Sequence, residues 1–372
     1  MAANTRRALC LLEALEDRHL LAVSTQLING STLRLLGDTA HEWVHIQQND
    51  ALNTLTVQAG IINPFVTTKP PETWEFTSSS IKRIVVELRG GNDNLTYSVD
   101  GNTYIHTKVV HIDMGAGNDS VFIDMGGQLV VPFGSANSEA LMFEPPWPEP
   151  NPLSIEAPVN ITVVGGNGND TIDAVFGHIR SGLSFRAIGG AGNDSISTSI
   201  AGNVAANRTA VIYQDGGTGN DSLDFHMSDQ GIGDLARVSL IQRGGLGNDT
   251  LNAHIQGLIQ GTLLVNQFGG NGNDKIDTNI LANWASRGTI RARALGDSGN
   301  DNLLMSIKRR EMPPQFLVLE APIPEMVVEG IVHGVSGRNR AWVTPNVKTF
   351  ATTVMERSWD VGTILPIDPW PL

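Results

Sequence analysis

Cysteine is nearly absent. Cys10 is the only one in 372 residues, which excludes an intramolecular disulfide framework and a cysteine-based zinc cluster. Positive charge is scarce: 25 Lys+Arg against 38 Asp+Glu give a formal net charge of −13. The basic stripe of a nucleic-acid-binding surface is therefore not expected. No run of 18 or more apolar residues occurs, so no membrane-spanning helix is expected. Charged residues are only 17% of the chain and apolar ones 41%, a balance that argues against wholesale disorder. The length is too great for one ordinary compact domain and short for three. Glycine is what the chain has in excess, with 40 residues, about 11% against the roughly 7% of average proteins.

The glycines recur in a pattern. Gly-Asn-Asp ends at Asp93, Asp119, Asp170, Asp194, Asp221, Asp249, Asp274 and Asp301, at spacings of 26, 51, 24, 27, 28, 25 and 27. The 51 is twice about 26, which predicts one unit that has lost its motif. Upstream, Gly37-Asp38-Thr39-Ala40-His41-Glu42 reads as a worn copy with Glu42 in the Asp place, again 51 residues before Asp93. One register of about 26 residues from Glu42 to Asp301 predicts roughly eleven turns.

Two, four and six residues after the motif Asp stand apolar or small residues, such as Ile172, Ala174 and Phe176, or Leu223, Phe225 and Met227. Polar residues alternate with them, as expected of a strand with one buried face. Nine and eleven residues before the Asp stand further apolar residues, such as Ile161 and Val159. Each unit thus reads as strand, glycine turn, strand and a variable loop of about eight residues. A two-stranded unit cannot bury its own apolar face, but stacked units can. The fold class expected is all-β, a parallel β-solenoid over residues 25–307, about 50 Å long at the usual strand separation.

Two stretches interrupt it. Residues 60–80, with Pro64, Pro70 and Pro71, read as a distorted turn with a loop. Residues 126–158 hold seven prolines and read as an insertion looping over the solenoid's side. Residues 308–372 lack the motif but keep strand-like runs, Phe316-Leu317-Val318-Leu319 and Ala341-Trp342-Val343, and read as a C-terminal β cap covering an exposed edge.

The fullest motif copy is Gly165-Gly166-Asn167-Gly168-Asn169-Asp170-Thr171-Ile172-Asp173. It resembles the haemolysin-type (RTX) calcium-binding nonapeptide, Gly-Gly-x-Gly-x-Asp-x-apolar-x. In-register copies follow, built on Gly189, Gly190, Gly192 and Asp194; Gly216, Gly217, Gly219 and Asp221; Gly244, Gly245, Gly247 and Asp249; and Gly269, Gly270, Gly272 and Asp274. Asp119 and Asp301 belong to departing copies, with Met114 for the first glycine in one and Asp297 for the second in the other; Gly90-Gly91-Asn92-Asp93 reads as one or two residues short. The resemblance implies Ca²⁺ held between stacked turns by these aspartates and glycines. Glycine lets backbone carbonyls converge without Cβ clashes, and calcium takes six to eight hard oxygens. An alternative needs no metal. Asn precedes Asp in all eight copies and can stack as a hydrogen-bonded ladder. A column of carboxylates about 5 Å apart, however, repels itself unless cations or protons intervene.

The N-terminal segment, residues 1–24, has only a five-residue apolar stretch, Ala8 to Leu12, before Glu13. An ordinary signal peptide needs 7–15. The run Leu12-Glu13-Ala14-Leu15-Glu16-Asp17-Arg18-His19-Leu20-Leu21 resembles the short N-terminal motif of planctomycete extracellular proteins, which implies export; the same residues also suit a helical cap. The expected setting is extracellular or cell-surface, and the expected function a calcium-stabilised, non-catalytic module for structural or adhesive contact, with cell-surface or extracellular polysaccharide as candidate partner. A second class is a carbohydrate-active β-helix enzyme of lyase or epimerase type. It would need an outward cluster such as His226, His254, Asp224 and Asp277, or Arg186, Arg291 and Arg293, walled by the Pro-rich loop. No nucleophile–base pair or phosphate loop stands out, and no catalytic residue is assigned.

Overall fold

Alternation on both sides of every glycine turn puts each second side chain on one face, and burial of that face shapes the molecule. The computed structural model describes residues 23–62, 71–126, 153–227, 231–310, 326–334, 340–345 and 350–356. Two long twelve-stranded sheets face each other. The first carries the strands before the glycine turns: Arg83–Glu87, Lys108–Ala116, Val159–Asn167, Leu183–Ala191, Thr209–Thr218, Arg237–Leu246, Thr262–Asn271 and Thr289–Ser298. The second carries those after them: Asn94–Asp100, Ser120–Met125, Thr171–Phe176, Ser195–Ile200, Ser222–Met227, Thr250–Gly257, Lys275–Ala282 and Asn302–Arg309. Within each set, neighbours pair parallel and in register, Ile172 opposite Ile196 and Ile196 opposite Leu223. The result is a parallel β-solenoid of about seven regular turns of roughly 27 residues, extended by less regular turns at the ends.

The expected eleven turns are too many, because neither 51-residue gap hides a turn. Ser120–Met125 pairs directly with Thr171–Phe176, and Lys108–Ala116 with Val159–Asn167. The residues between leave the stack after Gly126 and rejoin it at Leu153; residues 127–152 lie outside the described set. At the N-terminal end, Glu42–Asn49 pairs parallel with Asn94–Asp100. The residues between form an antiparallel meander, Thr54–Ile61 on Glu42–Asn49 and Glu72–Thr77 on Thr54–Ile61, where a distorted turn and loop were expected. Each insertion adds about one period of chain, which imitates a lost repeat. Glu42 and the eight motif aspartates are therefore nine successive rungs, about 38 Å from first to last at a strand spacing of about 4.8 Å.

The described strands of the C-terminal segment add to the solenoid. Val327–Gly334 pairs parallel with Thr289–Ser298, Arg340–Pro345 with Asn302–Arg309, and Phe350–Glu356 with Val327–Gly334. The run Phe316–Leu319 and residues 1–22, with Cys10 and the export-type motif, lie outside the described residues.

Between the sheets lies one continuous core. The positions expected to point inward do so, from Val159, Ile161, Ile172 and Phe176 to Leu303 and Ile307. Phe176 and Phe185 meet edge-to-face, ring centroids 5.3 Å apart. Each fully buried Leu, Ile or Phe contributes about 1.5–3 kcal/mol. The edge opposite the glycine turns is more ordered than a variable loop. Thr103–Tyr104, Ser154–Ile155 and His178–Ile179 form a short third parallel ladder, prolonged by single bridges between Ile179, Val204, Ile232 and Ile259. All four are buried, so one aliphatic residue per turn seals this edge.

Candidate functional site

The glycine turns stack along one edge, and their conformations divide the labour among the three glycines. The second ones, Gly166, Gly190, Gly217, Gly245 and Gly270, have φ of +105° to +120°, and the third ones, Gly168, Gly192, Gly219, Gly247 and Gly272, +129° to +144°. Both lie against carbonyls of the preceding turn. A Cβ on Gly217 would fall 2.1 Å from the Gly190 oxygen, and one on Gly219 1.7 Å from that of Gly192. The first glycines, Gly165, Gly189, Gly216, Gly244 and Gly269, are not left-handed; their missing side chain makes room for an Asp oxygen. A Cβ there would lie 2.3–2.4 Å from Oδ2 of Asp170, Asp194, Asp221, Asp249 and Asp274 respectively.

The departing copies keep this geometry by substitution. Arg89, with φ +74°, takes the second glycine's place before Asp93, since a Cβ on Gly115 would meet its carbonyl at 2.1 Å. Gly91 is then the third glycine and Leu88 stands for the first, so this copy is complete in length. Asp297, φ +60°, replaces the second glycine before Asp301, and the strand register shifts there. Gly37 lies against Glu42 Oε2 as the first glycine of the worn copy.

Two side-chain ladders run along this edge in opposite senses. In the inner one, the amide of each rung donates to Oδ1 of the next: Glu42 to Asp93, Asp93 to Asp119, and on through Asp170, Asp194, Asp221, Asp249 and Asp274 to Asp301, at 2.7–2.9 Å. In the outer one, the amide of each motif Asn donates back to Oδ1 of the previous Asn, from Asn300 to Asn92, also at 2.7–2.9 Å. His41 ends that series by accepting the Asn92 amide on Nδ1. The Asn column is exposed, the carboxylate column buried.

Every carboxylate from Glu42 to Asp274 keeps one oxygen, Oε2 or Oδ2, buried without a hydrogen-bond partner. Burial, partly offset by the amide donor and reinforced by neighbouring carboxylates, pushes Asp119 and Asp249 up to about 6, and Asp170 and Asp221 up to about 7. Asp301 is raised to about 6, and Asp93, Asp194 and Asp274 are raised for the same first reason. Glu42 reaches about 9. Backbone carbonyls approach the orphaned oxygens. The space a Cβ would fill on Gly165 lies 2.4 Å from Asp170 Oδ2 and 2.7 Å from the Gly189 carbonyl of the next turn. On Gly244 the corresponding distances, to Asp249 Oδ2 and the Gly269 carbonyl, are 2.4 and 2.5 Å. These donors are hard oxygens, the kind calcium takes. Among the described residues no three His, Cys, Asp or Glu side chains cluster as a metal cage, so an ion here would depend on carboxylates from single turns together with main-chain carbonyls.

Other polar residues pair with one another along the stack. His226 and His254 stack on neighbouring turns, ring centroids 5.4 Å apart and 11° from parallel. Asp224 accepts from Asn252 Nδ2 at 2.7 Å. Two buried polar groups escaped the sequence reading. Gln214, Gln242 and Gln267, seven residues before their motif aspartates, form an interior amide ladder, Gln242 Nε2 to Gln214 Oε1 at 2.6 Å and Gln267 Nε2 to Gln242 Oε1 at 2.8 Å. Near the N-terminal end Asp50 accepts from Gln48, Ser78 and the amides of Ile105 and His106, and contacts His106 Nδ1 at 2.9 Å. Burial raises Asp50, but these bonds outweigh it and hold it below the ordinary carboxylate value. No protein-family model, curated protein or solved structure matches the chain.

Proposed function

We propose that the chain is a non-catalytic, extracellular β-solenoid module whose buried carboxylate column takes calcium, and which acts through its surface as a structural or adhesive element. The observation that carries the reading is the orphaned oxygen on each rung from Glu42 to Asp274. An ionised, unpartnered carboxylate in a buried column is costly unless a cation or proton balances it. Calcium, when bound, would supply that positive charge between turns. The chain's own part is to present one carboxylate oxygen per turn, fix it through the Oδ1–amide bond, and clear space with the first glycine. Binding to the folded stack alone would stabilise it by mass action.

Thermal unfolding after exhaustive chelation, titrated with calcium and separately with magnesium, tests this. A saturable rise in melting temperature specific to calcium is expected, and Asp221→Ala should weaken it because both adjoining rungs lose a donor. Asp38 is a poor control, since its Oδ1 accepts the Ala40 amide at 2.6 Å within the worn copy and its carboxyl acts on Glu42. Asp277, half-exposed on the outer face of the second sheet, is a better one, and Asp277→Ala should leave the titration unchanged. No shift with calcium would overturn the metal reading. It would favour a metal-free scaffold, for which the specific support is that every Oδ1 from Asp93 to Asp301 already accepts an amide.

A further inference from the structure

The outward faces of the two sheets differ in chemistry. On the second, successive turns present small polar and acidic groups, Ser197, Asp224, Asn252 and Asp277, in one register column. On the first, four consecutive strands present Arg186, Tyr213, Arg243 and Phe268. The Arg186 guanidinium carbon lies 4.2 Å from the Tyr213 ring centroid. That of Arg243 lies 5.8 Å from Tyr213 and 5.7 Å from Phe268. Cations and rings therefore alternate along the stack for about 14 Å, three strand spacings. The next strand adds Arg291 and Arg293, both exposed.

Arg291 pairs with Glu329 at 3.2 Å, but among the described residues Arg186, Arg243 and Arg293 have no carboxylate at ion-pair distance. Asp215, the nearest acid in the sheet register, instead accepts from the Tyr213 hydroxyl at 2.7 Å. A chain of net charge −13 thus gathers guanidinium groups, most of them without an ion pair among the described residues, and half-buried rings on one sheet face.

We propose that this stripe is a docking surface for an anionic polysaccharide. The outward parts of the half-buried rings, whose faces the guanidiniums cover, offer apolar contact to sugar C–H groups, and guanidinium forks match carboxylates bidentately. Cation–π contacts preorganise those forks. A sheet face with recurrent binding groups suits an extended polymer better than a single sugar. Nucleic acid fits less well: with one charge per ~1.7 Å of duplex axis it would be strongly repelled by the acidic remainder. The proposal takes its partner class from the module reading but does not depend on calcium.

The test is isothermal titration of the full chain with carboxymethyl-dextran and with unmodified dextran, in calcium and after chelation, while circular dichroism reports the fold. Binding of the carboxylated polymer only is expected. Arg186→Gln/Arg243→Gln should bind at least tenfold more weakly at unchanged melting temperature, and Lys275→Gln/Lys308→Gln, on the second sheet, should bind like the parent. Equal binding of both dextrans, equal affinity of the two double variants, no binding by folded protein, or tighter binding of oligo(dT) would each overturn the proposal. Failure of the calcium reading shows separately, in the melting titration.

Discussion

At the scale of single residues, the three glycines of a motif look alike in sequence and differ in duty. The second and third carry positive φ and a carbonyl of the preceding turn within Cβ distance; the first shelters an Asp oxygen. Gly217→Ala is therefore expected to destabilise by roughly 1–3 kcal/mol from backbone strain alone, with the 2.1 Å approach to the Gly190 oxygen adding to it. Gly182→Ala, with nothing within 4 Å of the added Cβ, should be neutral or stabilise by about 0.4–1 kcal/mol. Denaturant melts of the two variants distinguish duty from mere abundance of glycine. Of the candidate site, the repeated Asp and Gly positions were legible because their spacing is a period. His41 closing the Asn ladder was not, since it occurs once. The Gln ladder escaped as well: seven residues before each Asp is an inward position by parity, but a glutamine's polarity argues for solvent until its partners are seen.

At the scale of elements, period-two alternation identified the strands because one face of each is buried. It could not identify the third edge, where burial falls on one residue per turn, such as Ile179, Val204, Ile232 and Ile259, inside loops of unlike sequence. Nor could it separate a lost repeat from an inserted meander of one period's length. That meander is fastened by a buried polar knot. Lys108, fully buried, donates from Nζ to the carbonyls of Ser78 at 2.7 Å and Ile81 at 2.9 Å, and burial lowers it to about 8. Lys108→Met would keep the length and strand both acceptors. Its expected cost is roughly 1.5–3 kcal/mol, and hydrogen exchange should show the loss concentrated in residues 72–81 and not in the glycine turns.

At the scale of the whole molecule, the carboxylate column sets the response to pH. Each raised carboxyl holds its proton more tightly folded than unfolded. For the aspartates this adds stability that is complete below the unfolded value of 3.8 and is lost as pH rises through the folded values, about 6 to 7 at Asp119, Asp170, Asp221 and Asp249, and at Glu42 the loss runs on to about 9. The chelated protein should melt highest near pH 4–5 and progressively lower up to pH 8. Asp50 works in the opposite sense: its lowered carboxyl gives stability that is present above 3.8 and lost as pH falls below it. A melting temperature flat between pH 4 and 8 in chelator would contradict the burial of the column.

Because each rung from Asp119 to Asp274 donates its amide to the next carboxylate in the same way, the ladder itself carries no mark of place in the series. Removing residues 195–221 would bring Asp194 opposite Asp249 with the same bond that Asp221 now makes. The carboxylate ladder would close over the gap, while the core would lose Gln214, the acceptor of Gln242 Nε2. The reach of the stack, and with it the number of surface groups it displays in a row, is therefore counted in whole turns of roughly 27 residues.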